Sequence, residues 1–474
     1  RAGARGASRA PEAPAADDLA GTRVSGPAHR PRAAMFVAAL LVFAAGGRAL
    51  AQDAPPGTPA ATGTPPATGT LPSGVAYAVH SDPAQPVAAV SLWYRAPATG
   101  FGPQPAPGLA RLAATTVAAS APITGTPLTQ LVERWGGRLT VSAYPDSVAI
   151  TALVPPDRAA DTVRAMTGDY FAPVISAAGL RLAQRDVGED ALYRGLGPDA
   201  IEDALGAALF ESGPMHDGIV GTIQGIAGTS LERVRAFAAR AFRPSNAILL
   251  LTGNVGRSAL DRVAARPGTS AGPAEAPAAQ APRAPGTPLR RDALISGTGL
   301  GWAGPPIAAE ADATAMDFIA DLLFAPRTGR VPRALGNRKA TATGKFVTYR
   351  NPGVFLVTIS GADAAAARPI VEQTIADTTK PMSAEAFEAA RAAFVYRLLS
   401  DMASPADVAE IYGWYTVEGD APYAPADGGL QGRYLSLVAA LTPAAVAQTA
   451  TKYLGPAPAV VTLVKRAQPQ GTRT

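Results

Sequence analysis

The sequence contains no cysteine among its 474 residues. Disulfide bonds, thiolate metal ligands, thiol nucleophiles and a lipid-bearing cysteine are therefore excluded. Histidine is also scarce, because only His29, His80 and His216 are present. None of the three has a histidine or an acidic residue at the spacing that places two metal ligands on one helical face. We therefore predict no metal and no cofactor on this chain, with His80 and His216 structural or exposed.

Lysine is rare as well, since only five of the 42 basic residues are lysines and the rest are arginines. Against 37 acidic residues they give a formal net charge of +5. The sequence has no basic stripe with interleaved aromatic residues, the pattern typical of nucleic-acid surfaces. The stretch from Gly253 to Gly256 lacks the lysine of a phosphate-binding loop. These absences argue against nucleic-acid binding and against a nucleotide site.

One apolar run of about a dozen residues occurs, within 35–51, and it is too short to span a bilayer. Arg30 and Arg32 precede this run, and an Ala-Leu-Ala sequence ending at Ala51 follows it. This pattern predicts a secretory signal peptide over 35–51, cleaved after Ala51. Residues 1–34 are then expected to be a disordered or untranslated extension. The mature protein is predicted to be periplasmic or secreted, with no stable membrane span.

Stretches rich in proline, alanine, glycine and threonine divide the remaining chain. Between them, runs of predicted strands are followed by runs of predicted helices, which favours sheets covered on one face by helices. The fold class is therefore α+β. The predicted organisation is a linker over 52–70, a first domain over 71–262, a linker over 263–289, a second domain over 290–468 and a tail over 469–474.

A short internal repeat links the two predicted domains. Six residues near the end of the first domain have similar residues 212 positions later, with no gap. Such self-similarity favours a duplicated domain over two unrelated ones. The residues are Val234, Arg240, Phe242, Pro244, Ala247 and Ile248, matched to Val446, Lys452, Leu454, Pro456, Ala459 and Val460.

Several short stretches of the two predicted domains share their order and spacing with a known family. They begin at Leu71, Val90, Gly108, Val132, Gln184, Pro214 and Pro244, and in the second domain at Ala325 and Gly353. In these stretches the sequence resembles the insulinase/pitrilysin family of zinc peptidases, including bacterial relatives of mitochondrial processing peptidase. The resemblance implies two homologous α+β domains, each with a mainly antiparallel sheet covered by helices. Together they would form half of a clamshell chamber that the family assembles from two chains or from one fused chain.

The family's zinc motif falls on the predicted helix 108–120, and its chemistry is missing there. Active members carry His-x-x-Glu-His, in which two histidines bind zinc and the glutamate is the base for the zinc-bound water. Carried onto this chain, the histidine positions are Arg111 and Thr115, and the glutamate position is Ala114. Arg111 would place a permanent cation where zinc should sit. These three are interpreted as vestigial positions, so no catalytic and no metal-binding residue is predicted.

The family's further glutamate ligand, some seventy residues downstream, should fall near Ala191. Glu189 and Asp190 lie beside that position, so a carboxylate can be close even though Ala191 has none. One carboxylate without histidine does not make a tetrahedral zinc site. Whether Arg111 only fills the zinc space or pairs with a carboxylate such as Glu189 is left open.

The family also holds substrate with an arginine and a tyrosine, seven positions apart, in the second domain. The arginine position matches Arg333, but seven residues on stands Ala340 instead of tyrosine. Tyr349 is sixteen residues away and belongs to a predicted strand. Arg333 and, with lower weight, Arg338 are therefore candidate peptide contacts.

These observations predict a non-catalytic, metallopeptidase-like subunit of the cell envelope. Its partner would be a homologous His-x-x-Glu-His subunit that carries the zinc, and the pair would hold and degrade peptides. Three alternatives remain: a stand-alone peptide- or protein-binding module, a structural envelope subunit, and an active zinc endopeptidase with an unrecognised site.

Overall fold

The computed structural model describes residues 66–122, 125–264, 280–284, 286, 288–350, 352–419 and 429–466. The predicted extension 1–34, the signal 35–51 and the tail 469–474 lie outside the described residues. Among the helices of the described part, none combines the length and apolar character that crossing a bilayer requires.

Six strands form the first sheet, in the order β1-β2-β6-β3-β5-β4. All neighbours pair antiparallel except β2 with β6, which run parallel. The strands are β1 (Ala67–Thr70), β2 (Ala76–Ser81), β3 (Ala88–Arg95), β4 (Arg138–Ala143), β5 (Ser147–Val154) and β6 (Ala247–Gly253). The helices of this half are α1 (Leu109–Ala119), α2 (Leu128–Arg134), α3 (Ala159–Phe171), α4 (Ala177–Gly195), α5 (Asp199–Leu209), α6 (Pro214–Asp217), α7 (Ile223–Ala227) and α8 (Leu231–Ala241).

Five strands form the second sheet, in the order β7-β11-β8-β10-β9, with only β7 and β11 parallel. The strands are β7 (Leu289–Ala293), β8 (Gly297–Gly304), β9 (Ala340–Val347), β10 (Gly353–Gly361) and β11 (Ala459–Lys465). The helices are α9 (Glu310–Phe324), α10 (Arg330–Leu335), α11 (Ala364–Ala376), α12 (Ala384–Asp401), α13 (Pro405–Glu418), α14 (Gly429–Ala439) and α15 (Pro443–Leu454).

The two sheets have the same topology, which confirms the predicted α+β class with two mainly antiparallel sheets. Strand for strand, β2-β6-β3-β5-β4 corresponds to β7-β11-β8-β10-β9, and each begins with its one parallel pair. The repeat of 212 residues coincides with this symmetry, because Ala247 starts β6 and Ala459 starts β11. The second half is therefore a structural repeat of the first.

The central strand β3 is buried on both faces, as expected of a strand between two packed layers. Val90, Leu92 and Tyr94 lie in the core formed with the helices of the first half. Trp93 points to the other face, against α13: a Cβ added at Gly413 would lie 2.1 Å from Trp93 Cε2. The prediction that helices cover only one face of the sheet is therefore wrong, because α13 covers the second.

Each half supplies one helix to the sheet of the other. Helix α13 packs on β3, β5 and β6, and α5 packs on β8, β10 and β11. Three glycines of β8, Gly297, Gly299 and Gly301, make room for α5. A Cβ at Gly299 would lie 2.6 Å from Ile201 Cγ2 and 2.8 Å from Leu205 Cγ, closer than van der Waals contact allows. The predicted division at 262 and 290 thus separates the two halves along the sequence. The packing does not respect this division, because α5 and α13 each cover the sheet of the other half.

The predicted linkers are longer than the structure allows. The linker 52–70 was expected to run to Thr70, yet Ala67–Thr70 forms the edge strand β1, paired with β2. The linker 263–289 likewise overlaps β7 at Leu289, and its end is packed: the N–H of Arg283 donates to the carbonyl of Leu209 over 2.6 Å. Both edge strands lack the alternating apolar pattern that predicts a strand, because strand pairing more than burial holds them.

Candidate functional site

Helix α1, where the vestigial motif lies, is buried over most of its circumference. The predicted face of Leu109, Leu112, Ala113 and Val117 is in the core, and most of the intervening residues are buried too. A half-exposed stripe remains at positions 111, 115 and 119, four residues apart. Residues four apart share one face of a helix. The two histidine positions of the family motif therefore occupy the stripe of α1 that is not committed to the core.

The approach to α1 depends on a glycine. Gly108 adopts a φ of 85°, which is left-handed and favours glycine. A Cβ there would also lie 2.3 Å from the carbonyl oxygen of Val220. The start of α1 is thus set by the conformation of one residue and by its contact with the segment before α7.

Helix α4 lies against α1 and runs in the opposite direction. The end of α1 meets the start of α4, where the N–H of Ser176 donates to Ser120 Oγ over 3.1 Å. Ser176 also caps α4 by accepting from the N–H of Gly179 over 3.0 Å. Gly179 allows this close approach, since a Cβ there would lie 2.2 Å from Ser120 Oγ. The antiparallel alignment then brings the start of α1 to the last turns of α4.

At that end of the two helices, Arg111 forms an ion pair with Asp190. The Nη2 of Arg111 donates to Asp190 Oδ2. The side chains are 16% and 33% exposed, respectively. Ala191, where the family's further ligand was expected, packs against the core instead, and Glu189 is exposed. The question left open by the sequence is therefore answered: Arg111 pairs with a carboxylate, and that carboxylate is Asp190.

The surroundings of Arg111 are acidic enough to keep it charged. Burial lowers the pKa of Arg111, and the nearby carboxylates of Asp190 and Asp186 act in the opposite direction. Arg194, one turn after Asp190, lowers the pKa of Arg111 further. Guanidinium has so high an intrinsic pKa that it stays protonated in such a site. The motif position thus carries a fixed positive charge.

The donor set at this site does not fit zinc. A guanidinium has no lone pair to offer, and Thr115 presents a hydroxyl instead of an imidazole. Ala114, at the position of the catalytic base, has a buried methyl group, and its carbonyl accepts the hydroxyl of Tyr170 over 2.8 Å. Within the described ranges, no group of three or more His, Asp or Glu side chains is placed to hold a metal ion. We therefore derive no metal-dependent step for this chain.

The two remaining described histidines lie in ordinary structural surroundings. His80 is on β2, and its ring centre lies 5.8 Å from that of Tyr412 on α13. Burial lowers the pKa of His80, with the charge of Asp82 opposing that shift. His216 is on α6, where its Nδ1 lies 2.9 Å from Oδ1 of Asp217.

The candidate peptide contacts, Arg333 and Arg338, lie on and just after α10, which packs on α9, α11 and β9. Both side chains are exposed. Arg333 donates to the carbonyls of Gly329 and Thr328, at 3.4 and 2.5 Å. Arg338 donates to the carbonyl of Leu335 over 3.1 Å. Each arginine thus binds the backbone of its own segment, and its role as a peptide contact stays a prediction.

An exposed apolar cluster next to the ion pair was not predicted from the sequence. It consists of Leu192 and Tyr193 on α4, Leu196 directly after the helix, and Leu294 beside Gly195, which are 40%, 71%, 50% and 52% exposed. Tyr193 follows Asp190 by three residues and so lies beside it on the helix surface.

Similar structures place this architecture in a known class. A protease from Helicobacter pylori matches with a TM-score of 0.73 and 16% identity, covering 85% of this chain and 100% of that one. The peptidase M16 inactive domain from Pseudomonas fluorescens matches with a TM-score of 0.70 and 18% identity, over 85% and 98%. A chain of complex III2 from Candida albicans, with Inz-5 bound, matches with a TM-score of 0.69 and 13% identity, over 84% and 94%. The protein therefore has the fold of the M16 peptidases, the insulinase/pitrilysin family.

Part of the sequence also matches the model of a protein family. Residues 229–394 match the model described as the peptidase M16 inactive domain. The matched range starts just before α8 and ends in α12, so it spans the junction between the two halves. None of the curated proteins matches the sequence. The predicted resemblance to the insulinase/pitrilysin family is thereby confirmed at the level of the fold.

Proposed function

We propose that this protein is a non-catalytic M16 subunit that pairs with a zinc-bearing His-x-x-Glu-His homologue and holds peptides for it. The observation that carries the proposal is the Arg111–Asp190 ion pair at the position of the zinc motif. Loss of the zinc ligands alone does not require that an arginine at this position have a carboxylate partner. Here both members are present and partly buried on two helices that keep their antiparallel packing.

The energetics support a structural role for this pair. Leaving one charge of a buried pair without its partner costs about 3–5 kcal/mol, so such charges persist only when they are matched. The ion pair joins α1 to α4 at the end opposite the Ser120–Ser176 contact. The two helices are thus fastened at both ends without a metal, which preserves the scaffold while the chemistry is absent.

The apolar cluster beside the ion pair supports the peptide-holding part of the proposal. Exposed apolar residues that lie together commonly mark a surface that binds another molecule. Tyr193, at 71% exposure, combines a large apolar ring with a hydroxyl and loses little conformational freedom on binding. An extended peptide with apolar side chains would suit this cluster, and the neighbouring carboxylates would favour a basic residue next to them.

The test is to mix the purified protein with an M16 homologue that carries His-x-x-Glu-His. Light scattering measures complex formation, and a fluorogenic peptide measures cleavage. A heterodimer with faster cleavage than the homologue alone is expected. Neither a complex nor any change in cleavage would refute the proposal.

Variants at two exposed tyrosines sharpen that test. Tyr193→Ser removes the ring beside the ion pair, and it is expected to weaken peptide binding by about tenfold, as truncation of an aromatic contact often does. Tyr396→Ser is the matched control, since Tyr396 is 63% exposed but lies on α12. Equal effects of the two variants would show that the cluster on α4 has no special role.

A stand-alone peptide-binding protein is the second candidate, because the same cluster could act without a partner. Size measurement separates the two: a stable monomer or homodimer that binds peptide unaided favours the second. The envelope location is likewise proposed, on the signal pattern of residues 35–51. Its test is N-terminal sequencing of the exported protein, which should begin at Gln52; a chain that retains residues 1–34 would contradict it.

A further inference from the structure

The last turn of α13 is held by two arginines, one from each half of the chain. Arg95, at the end of β3, donates to the carbonyls of Thr416 and Val417 over 3.0 and 3.3 Å. Arg350, in the segment between β9 and β10, donates to the carbonyls of Val417 and Gly419 over 3.1 and 3.3 Å. The last carbonyls of a helix lack intrahelical partners and carry the negative end of its dipole. Arg95 therefore fastens the end of α13 to the first sheet, and Arg350 binds the same helix end from the second half.

Two buried carboxyl groups meet at the same place. Asp146 lies in the turn between β4 and β5 and is 6% exposed, whereas Glu418 is the last residue of α13 and is 1% exposed. Each side chain has one buried oxygen without a hydrogen-bond partner among the described residues, Oδ1 in Asp146 and Oε1 in Glu418. Oε2 of Glu418 also accepts the N–H of Arg350 over 3.0 Å. Because an ionised carboxylate has no donor, a hydrogen bond between two carboxyl groups requires that one of them be protonated.

The arginines do not remove this requirement. Arg95 and Arg350 donate to carbonyls of α13. Their charges lower the pKa of Asp146, but burial acts more strongly in the opposite direction. The charge of Asp146 in turn raises the pKa of Glu418, because two neighbouring negative charges out of water are strongly disfavoured.

We propose that Asp146 and Glu418 share one proton and form a latch that holds the end of α13 on the first sheet, and that this latch opens when the proton is lost. Helix α13 belongs to the second half of the chain but packs on the first sheet. Opening of the latch therefore loosens the contact between the two halves. The device is therefore a proton-dependent control of how firmly the two sheets are joined.

Other ionisable groups act on the latch or on its neighbours. Tyr349, before Arg350, has a pKa that burial raises, with Glu418 and Asp146 adding to the rise, so that it stays a neutral phenol. On α13 itself, Glu410 accepts the hydroxyl of Tyr144, and burial raises the pKa of Glu410 to about 7, with the charge of Asp407 adding to the rise. Arg194 on α4 and Glu202 on α5 act on Tyr349, and Glu202 forms an ion pair with Lys345 on β9 at 2.8 Å.

The direction of the pH effect follows from these surroundings. Burial raises the pKa of Glu418 and of Asp146 in the folded protein. A carboxyl group whose folded-state pKa is raised contributes stability below its unfolded pKa, and this contribution is lost as the pH rises through the folded value. The pKa of Glu410 is also raised, so its contribution to stability is likewise lost as the pH rises. The latch is therefore closed at low pH and opens as the pH rises through the raised pKa of the pair.

The test is hydrogen exchange of the purified protein, followed by mass spectrometry of peptides that cover residues 411–419. After correction for intrinsic exchange chemistry, exchange there should become at least about tenfold faster between about pH 6 and pH 9, the factor that corresponds to a shift of one pKa unit. Glu418→Gln supplies a permanent donor to Asp146, so its exchange should stay slow at both pH values. Unchanged exchange in the wild-type protein would overturn the proposal.

Two further variants keep the result interpretable. Asp146→Asn supplies the donor from the other side, and it should also suppress the pH dependence if Glu418→Gln does not fold. Asp317→Asn is the control, because burial raises the pKa of Asp317 to about 7 on α9, within the core of the second half. It should change the pH dependence of global unfolding and leave the exchange of 411–419 as in the wild type. If Glu418→Gln and Asp146→Asn both keep the alkaline increase, the latch is refuted.

Discussion

The Arg111–Asp190 ion pair predicts a specific result in a double-mutant cycle. Arg111→Met and Asp190→Leu remove one partner each, and the double variant removes both charges while keeping apolar bulk. Breaking a buried pair from one side costs about 3–5 kcal/mol, whereas an exposed pair contributes about 0–1 kcal/mol. The pair lies between these limits, because Arg111 is 16% exposed and Asp190 is 33% exposed.

The expected change in the free energy of unfolding differs between the variants. Asp190→Leu leaves the guanidinium of Arg111, which is 16% exposed, without the carboxylate that its Nη2 binds, so it should cost about 2 kcal/mol. Arg111→Met leaves a carboxylate that can turn toward water and should cost about 1 kcal/mol. The double variant should be close to the wild type, since apolar replacement of a buried pair is often neutral. The resulting coupling energy is about 3 kcal/mol.

Urea unfolding, followed by circular dichroism, measures these free energies. Glu189→Leu is the matched control, because Glu189 is exposed beside Asp190 and should contribute only a few tenths of a kcal/mol. A coupling energy below about 0.5 kcal/mol, within the error of additive sites, would refute the structural role of the pair. A larger effect of Glu189→Leu than of Asp190→Leu would mean that the partner of Arg111 is Glu189 instead.

Three further predictions follow from other parts of the structure. Gly413→Ala should cost about 1–3 kcal/mol or more in urea unfolding, because its Cβ would overlap Trp93, whereas Gly168→Ala, with open space in α3, should stabilise by about 0.5–1 kcal/mol. Asp317→Asn should remove part of the loss of stability between about pH 5 and pH 8, because burial raises the pKa of Asp317 to about 7 and its contribution falls as the pH rises through that value. Rebuilding His-x-x-Glu-His over 111–115 should not restore peptide hydrolysis, since the further glutamate ligand is missing; measured activity in that variant would show the site to be less altered than its side chains indicate.

Much of the fold follows from local sequence patterns. The helix after Gly108 is predictable from its apolar spacing, and the duplication is visible in the six residue pairs 212 positions apart. The symmetry of the two sheets extends beyond those residues, over five strands of each sheet. Edge strands such as β1 escape prediction because pairing to β2, and not an apolar pattern, holds them.

The exchange of helices between the halves could not be predicted in this way. A helical pattern identifies a buried face, but it does not tell which sheet that face covers. The alternating glycines at 297, 299 and 301 were a usable signal, because side chains alternate between the faces of a strand. Such a row leaves one face of β8 without side chains, so that a helix can pack closely against the strand. Here Ile201 and Leu205 of α5 occupy that space.

The candidate site shows the same limit. The vestigial positions follow from a single aligned motif, but the partner of Arg111 depends on the rotation of α4, and one residue along a helix changes the direction of a side chain by about 100°. Glu189 and Asp190 therefore cannot be distinguished by spacing alone. The roles of Arg333 and Arg338 stay predictions, because their described hydrogen bonds are to their own backbone.

The ion pair also has a consequence for metal dependence in the proposed heterodimer. Arg111 is bound to Asp190 on α4, and one turn later Arg194 binds Asp203 of α5 with two hydrogen bonds of 2.8 Å. Because α5 covers the second sheet, these charged pairs connect the motif position to the contact between the halves without a metal ligand. A chelator should therefore abolish peptide cleavage by the zinc-bearing partner while leaving the unfolding midpoint of this chain unchanged. A fall of that midpoint with chelator, reversed by zinc, would mean that this chain binds the metal itself.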